Sequence, residues 1–175
     1  SLNCLNRKNI NAILIPDLAY LDTLTINVTK NKTKKNLFKS PKTKYVVFSK
    51  SMLPYSAYES PLIAISSYLN KKYGFHSIFL GLDPEDLVME KLNTYSYCSF
   101  LSKNINYPEI EKIYKNANLA ISGRYHHAIF ALKNGCPVIP LSTTSPKIKG
   151  LMEFYSDIYN LYSLNVTPYD STYLK

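Results

Sequence analysis

No uninterrupted apolar run of roughly 18 residues, the length a membrane-crossing helix needs, occurs in this chain. Its first residues, SLNCLNRKNI, have neither the apolar core of a signal peptide nor an initiator methionine. The expectation is a soluble, cytoplasmic chain that forms part of a longer parent. Cysteine is scarce too: Cys4, Cys98 and Cys136 are odd in number, far apart and outside any C-x-x-C or Cys/His ligand spacing. A disulfide scaffold is excluded as the organising feature, no metal site is expected, and a reduced compartment is favoured.

Acidic residues are missing altogether between Thr23 and Tyr58, a stretch that holds Lys30, Lys32, Lys34, Lys35, Lys39, Lys42, Lys44 and Lys50 and contributes much of the net charge of +9. A solvated loop is the plainest reading of such a run. Nucleic acid is not expected as a partner, because the stretch has no Arg for bidentate base contacts and no binding module surrounds it. Charge alone leaves peripheral contact with an anionic membrane surface and an attraction for anionic substrates. The glycosylation-like triplets at Asn27, Asn31 and Asn165 are expected by chance in so Asn-rich a chain.

What is present suffices for a core: 175 residues, 46% of them hydrophobic and 19% charged, suit one globular domain rather than a disordered chain. Short apolar runs alternate with helical patterns. The strands expected are 12–16, 44–49, 76–82, 97–101, 118–122 and 136–142. Residues 52–60 read as a loop, and a helix follows from Pro61 to its stop at Gly74, with Leu62, Ile65 and Leu69 at helical spacing. Further helices are expected over 84–95, capped by Asp83 with Pro84 in its first turn, and over 107–117, 125–135 and 146–158. Single helices between strands imply βαβ crossovers. The fold class is therefore α/β, a Rossmann-like doubly wound parallel sheet, whose ligands bind beyond the carboxyl ends of the strands. The domain division expected is an N-terminal segment, 1–43, and a Rossmann-like domain, 44–175.

Two loops, 122–127 and 142–147, have that placement. In the first, Tyr125, Ala128, Ile129 and Leu132 form a helical stripe that should pack on the sheet, leaving Arg124, His126 and His127 off it at the helix N-terminus. Backbone N–H groups there favour anions, Arg124 adds a planar donor fork, and a histidine can donate, accept or transfer a proton near neutral pH. A surface ion pair for the Arg and a simple capping role for the histidines compete with that reading. Of the tyrosines, Tyr125 alone falls near the site, and its stripe position assigns it to the core. Cys136, between the helix stop Gly135 and the strand start Pro137, reads as a small core residue rather than a nucleophile.

The segment SGRYHHAIFALKNGCPVIPLSTTSPKIKGLMEFY resembles the polysaccharide pyruvyl transferases. The likeness lies in an Arg-x-His element, a Gly-x-Pro-Val strand start and a Pro-Lys loop; IPDLAYL near the start resembles that family's crossing between domains. The resemblance implies one half of a GT-B-like fold, acting with an N-terminal domain that this chain lacks. It implies transfer of the enolpyruvyl unit of phosphoenolpyruvate to a sugar or lipid-linked glycan, with phosphate released and no cofactor beyond the donor substrate. By the same resemblance His126 is the catalytic acid or base, Arg124 and Lys147 bind the donor's anionic groups, and His127 is an auxiliary substrate contact. Ser145 stands where the family often has an acid, and Asp17 is more simply a helix N-cap.

Two other classes remain open. A nucleotide-sugar glycosyltransferase or epimerase of the same architecture needs a Glu to chelate ribose hydroxyls, and in register with Gly135 and Pro137 that position is Phe130. A non-catalytic binding half-domain is the other.

Overall fold

A computed structural model describes residues 43–49, 59–102, 105–141 and 146–159. The strand expected at 12–16, Asp17, most of the Lys-rich stretch and Ser145 lie outside the described residues. Strands β1 (Tyr45–Ser49), β2 (His76–Leu80), β3 (Cys98–Leu101), β4 (Leu119–Ser122) and β5 (Val138–Pro140) alternate with helices. These are α1 (Glu59–Tyr73), a 3₁₀ helix (Pro84–Thr94), α2 (Tyr107–Lys115), α3 (Tyr125–Lys133) and α4 (Pro146–Tyr159).

The sheet is parallel throughout, in the order β3-β2-β1-β4-β5. Its strands are apolar on both faces because both faces are covered: YVVFS of β1 is buried at every position. Alternate residues separate into two cores. Tyr45, Val47, Ile78, Leu80 and Ala120 face α2, α3 and α4, whereas Val46, Phe48, Phe79, Phe100 and Ile121 face α1 and the 3₁₀ helix. Phe48 and Phe79 stack across β1 and β2 with ring centroids 4.9 Å apart. Full burial of such a side chain contributes about 1.5–3 kcal/mol. The chain therefore winds outward from β1 to β3 with helices on one face, then returns past β1 to β4 and β5 with helices on the other. The reversal opens a crevice between the carboxyl ends of β1 and β4.

Local expectations hold with three differences. Gly74 and Gly135 end α1 and α3 at φ 69° and 72°, a left-handed turn that suits glycine. Helix α1, however, starts at Glu59, inside the stretch read as a loop, with Pro61 still in its first turn where a missing N–H costs no bond. The segment after Asp83 winds as a 3₁₀ helix rather than an α-helix. Asp86, Met89 and Leu92 are its buried residues, and three residues per turn places that spacing of three in single file. Finally, His127, expected off the packed stripe of α3, is buried at 2% exposure, whereas Tyr125 is only partly buried. Helix α3 is flanked by α2 and α4 as well as the sheet, so its buried arc is wider than one stripe and takes in His127 and Ala131.

Candidate functional site

Strand β4 ends on Ser122, and Gly123 and Arg124 carry the chain to the first turn of α3. Ser122 Oγ donates to the Arg124 carbonyl at 2.9 Å and accepts the Arg124 N–H at 3.2 Å. Its hydrogen being committed, the 2.7 Å contact with Ser49 Oγ is one in which Ser49 donates. This buried pair ties the ends of β1 and β4 together. Arg124 takes the N-cap position with extended backbone, φ −113° and ψ 133°, which leaves the N–H groups of the first turn of α3 facing the crevice region.

The Arg124 side chain, 15% exposed, reaches past the end of β1 to the loop after β2 and the first turn of the 3₁₀ helix. There Nη2 donates to Asp86 Oδ1 at 2.8 Å, and Nη1 pairs with the Asp83 carboxylate. Asp86 is fully buried, and its other oxygen accepts the N–H groups of Leu82 and Asp83, each at 3.2 Å. Room for Asp86 comes from Gly81, where an added Cβ would lie 2.7 Å from the Asp86 Cβ and 2.9 Å from the Phe100 ring. The guanidinium is thus preorganised, with its positive charge offset by two carboxylates.

His127 turns inward, its Nδ1 2.6 Å from the Tyr114 hydroxyl. Burial drives the Tyr114 phenol well above its ordinary value, so the hydroxyl keeps its proton and donates it to Nδ1. Burial, and next the positive charge of Arg124, lower the His127 imidazole from the ordinary 6.5 to about 3. The ring is neutral at physiological pH with its proton on Nε2, which is buried and has no acceptor among the described residues. His126 is exposed beside it, its ring 5.5 Å from Tyr125 in an edge-to-face arrangement. Arg124, His126, His127 and Lys147 line one cavity of about 490 Å³, together with Leu82, Asp83, Tyr125 and Phe130 among others. The residues picked from two separate loops of the sequence are therefore brought to one place, and Tyr125, assigned to the core, shares that wall.

Among the described residues no cluster of three or more His, Cys, Asp or Glu is placed to hold a metal ion. Burial pushes the Cys136 thiol up to about 12 and the Cys98 thiol up to about 11, so both stay protonated and pack as core residues. Sequence reasoning missed Asp86 and Tyr114. The D-x-x-D spacing of Asp83 and Asp86 is a signal for an acid reaching back to a helix start, but nothing local connects it to an Arg 38 residues later.

The buried imidazole gives the fold a pH dependence of known sign. Folded His127 stays neutral down to about 3, while in the unfolded chain it takes up a proton as the pH falls below the ordinary value of 6.5. Its penalty on stability is absent above that value and grows by about 1.4 kcal/mol per pH unit as the pH drops toward 3. His127→Asn keeps an acceptor for Tyr114 but does not titrate. Urea unfolding at pH 7.5 and 5 is expected to show a loss about 2 kcal/mol larger in the wild type than in this variant; equal losses would mean that the ring protonates in the folded state.

A family model described as polysaccharide pyruvyl transferase matches residues 1–145. The matched span contains Arg124, His126 and His127 and stops just short of Lys147. No curated protein matches the chain.

Proposed function

The chain belongs to the polysaccharide pyruvyl transferase family, and we propose that its cavity binds phosphoenolpyruvate as the donor of a pyruvyl group to hydroxyls of a sugar in a cell-surface glycan. One observation carries the reading: Arg124, His126, His127 and Lys147 converge on a single cavity beside the N-terminus of α3, at the reversal of strand order. A small polyanionic donor suits this wall of one guanidinium, one ammonium and a helix N-terminus. Arg124 binds the phosphate or carboxylate, Lys147 adds charge from the first turn of α4, and the neutral ring of His127 backs the same wall.

The proton chemistry belongs to His126. A proton delivered to the methylene carbon of the enol leaves an oxocarbenium-like centre at the adjacent carbon. One sugar hydroxyl adds there and gives up its proton to a base, phosphate departs with the electron pair of its carbon–oxygen bond, and a second hydroxyl closes the ketal as its proton too passes to a base. Cationic groups around the departing phosphate stabilise the charge that develops on it. We assign residues 44–175 the donor half-site of a GT-B-like pair, with the acceptor held by the other half of that pair.

A nucleotide-sugar enzyme is the second reading, and Phe130 speaks against it. Its ring lines the cavity and packs edge-on against Tyr107 at 5.3 Å, where that class needs a carboxylate to accept from ribose hydroxyls. Ligand-observed NMR with phosphoenolpyruvate and then a panel of nucleotide sugars separates the readings. Phosphoenolpyruvate is expected to bind, and Arg124→Ala to weaken it about tenfold or more, the worth of one charge-assisted hydrogen bond. Preference for a nucleotide sugar would move the chain to the second class, and silence from both would leave a non-catalytic binding half-domain.

A further inference from the structure

The two carboxylates on Arg124 are not equivalent, and their difference concerns how the cavity accepts an anion. Asp86 is fully buried, accepts two backbone N–H groups besides the guanidinium, and is wedged against Gly81. It cannot leave without stranding those donors. Asp83 lines the cavity with 49% of its side chain exposed, and its backbone is pinned by the bond from its N–H to Asp86. Its side chain can rotate while its backbone stays in place.

We propose that the Asp83 carboxylate is a built-in stand-in for the anionic group of the donor, seated on Arg124 Nη1 when the site is empty and displaced when the donor binds. The inference rests on the donor-site reading above. Two anions cannot share one guanidinium edge in a partly desolvated cavity, because their repulsion grows as water is excluded. Of the two partners, the exposed one is the weaker, since water and salt compensate its loss. Asp86 keeps hold of Nη2 throughout, so the fork stays aimed and the incoming anion finds a preorganised edge.

Asp83 holds the N-cap position of the 3₁₀ helix with extended backbone, φ −107° and ψ 152°, in a reciprocal capping arrangement with Asp86. The displaced carboxylate therefore stays beside the N–H groups of the first turn, which can take up its charge when the ligand holds Arg124. The arrangement also sets a threshold: a weakly held monoanion must compete with a tethered carboxylate, whereas a dianion brings an extra charge to the contest.

Calorimetric titration of the full chain with phosphoenolpyruvate, inorganic phosphate and pyruvate tests this, using the wild type, Asp83→Asn, Asp83→Ser and Arg124→Ala. Serine preserves a capping side chain, so loss of the helix start does not confuse the result. Both Asp83 variants are expected to bind phosphoenolpyruvate about three- to fivefold more tightly than the wild type, the size of one exposed ion pair. A gain shared by phosphate identifies the phosphate as the group that takes the seat; a gain shared by pyruvate identifies the carboxylate. Unchanged or weaker binding in both Asp83 variants, with Arg124→Ala still weakening it about tenfold or more, would overturn the exchange and leave the donor site standing. No binding in any protein would overturn both.

Discussion

Asp86→Ala is expected to lower the unfolding free energy by about 3 kcal/mol, the low end of what removing one partner from a buried ion pair costs. Three bonds disappear together: the one to Arg124 Nη2 and those from the N–H groups of Leu82 and Asp83. The Arg124 side chain, 15% exposed, is left without its buried counter-charge, although Asp83 still pairs with it. That surviving pair is why the upper end of the range is not expected. Asp86→Asn retains an acceptor of the same shape and loses the charge, so its cost should fall between the two proteins. Urea denaturation with an unchanged slope is the measurement. A loss below about 1 kcal/mol would mean that the aspartate is not the anchor of this corner.

The second large effect concerns turnover. In pyruvyl transfer, His126→Gln is expected to lower kcat about a hundredfold or more, the usual contribution of a positioned acid or base. Affinity for phosphoenolpyruvate should change little, because the anion contacts proposed above lie on other side chains. The assignment follows from the contrast between two adjacent histidines. His127 is buried, bonded to Tyr114 and held neutral down to about 3, so it has no proton to give from a charged ring near neutral pH. His126 is exposed on the cavity wall. Phosphate release in the presence of a glycan acceptor reads kcat, and a titration reads the binding. If kcat survives the substitution, the proton comes from another group; if affinity falls in parallel, His126 is a binding residue.

Much of the site was legible because its main residues sit in short local patterns. The run SGRYHH follows an apolar strand and precedes a helical pattern, which places Arg124 and His126 at a helix start. Lys147 was placed in the same way by Pro146. Direction within a helix was harder to read: His127 was expected outside and Tyr125 inside, because a stripe drawn for one neighbour, the sheet, ignores the flanking α2 and α4. The 3₁₀ winding after Asp83 was illegible for a similar reason, since three buried positions at a spacing of three fit either helix until a neighbour fixes the pitch.

By itself, then, the sequence determined the α/β class, the order of strands and helices, the glycine stops and the loop that bears Arg124 and His126. Periodicity, capping and turn chemistry are interactions over a few residues, and they are written in consecutive letters. Only the tertiary structure decided that the Arg124 guanidinium meets Asp83 and Asp86, that Ser49 bonds Ser122, and that Tyr114 fixes the proton of His127. Those pairings join residues from different crossovers of the sheet. Their strength comes from burial, which lowers the local dielectric and makes each polar group depend on its partner.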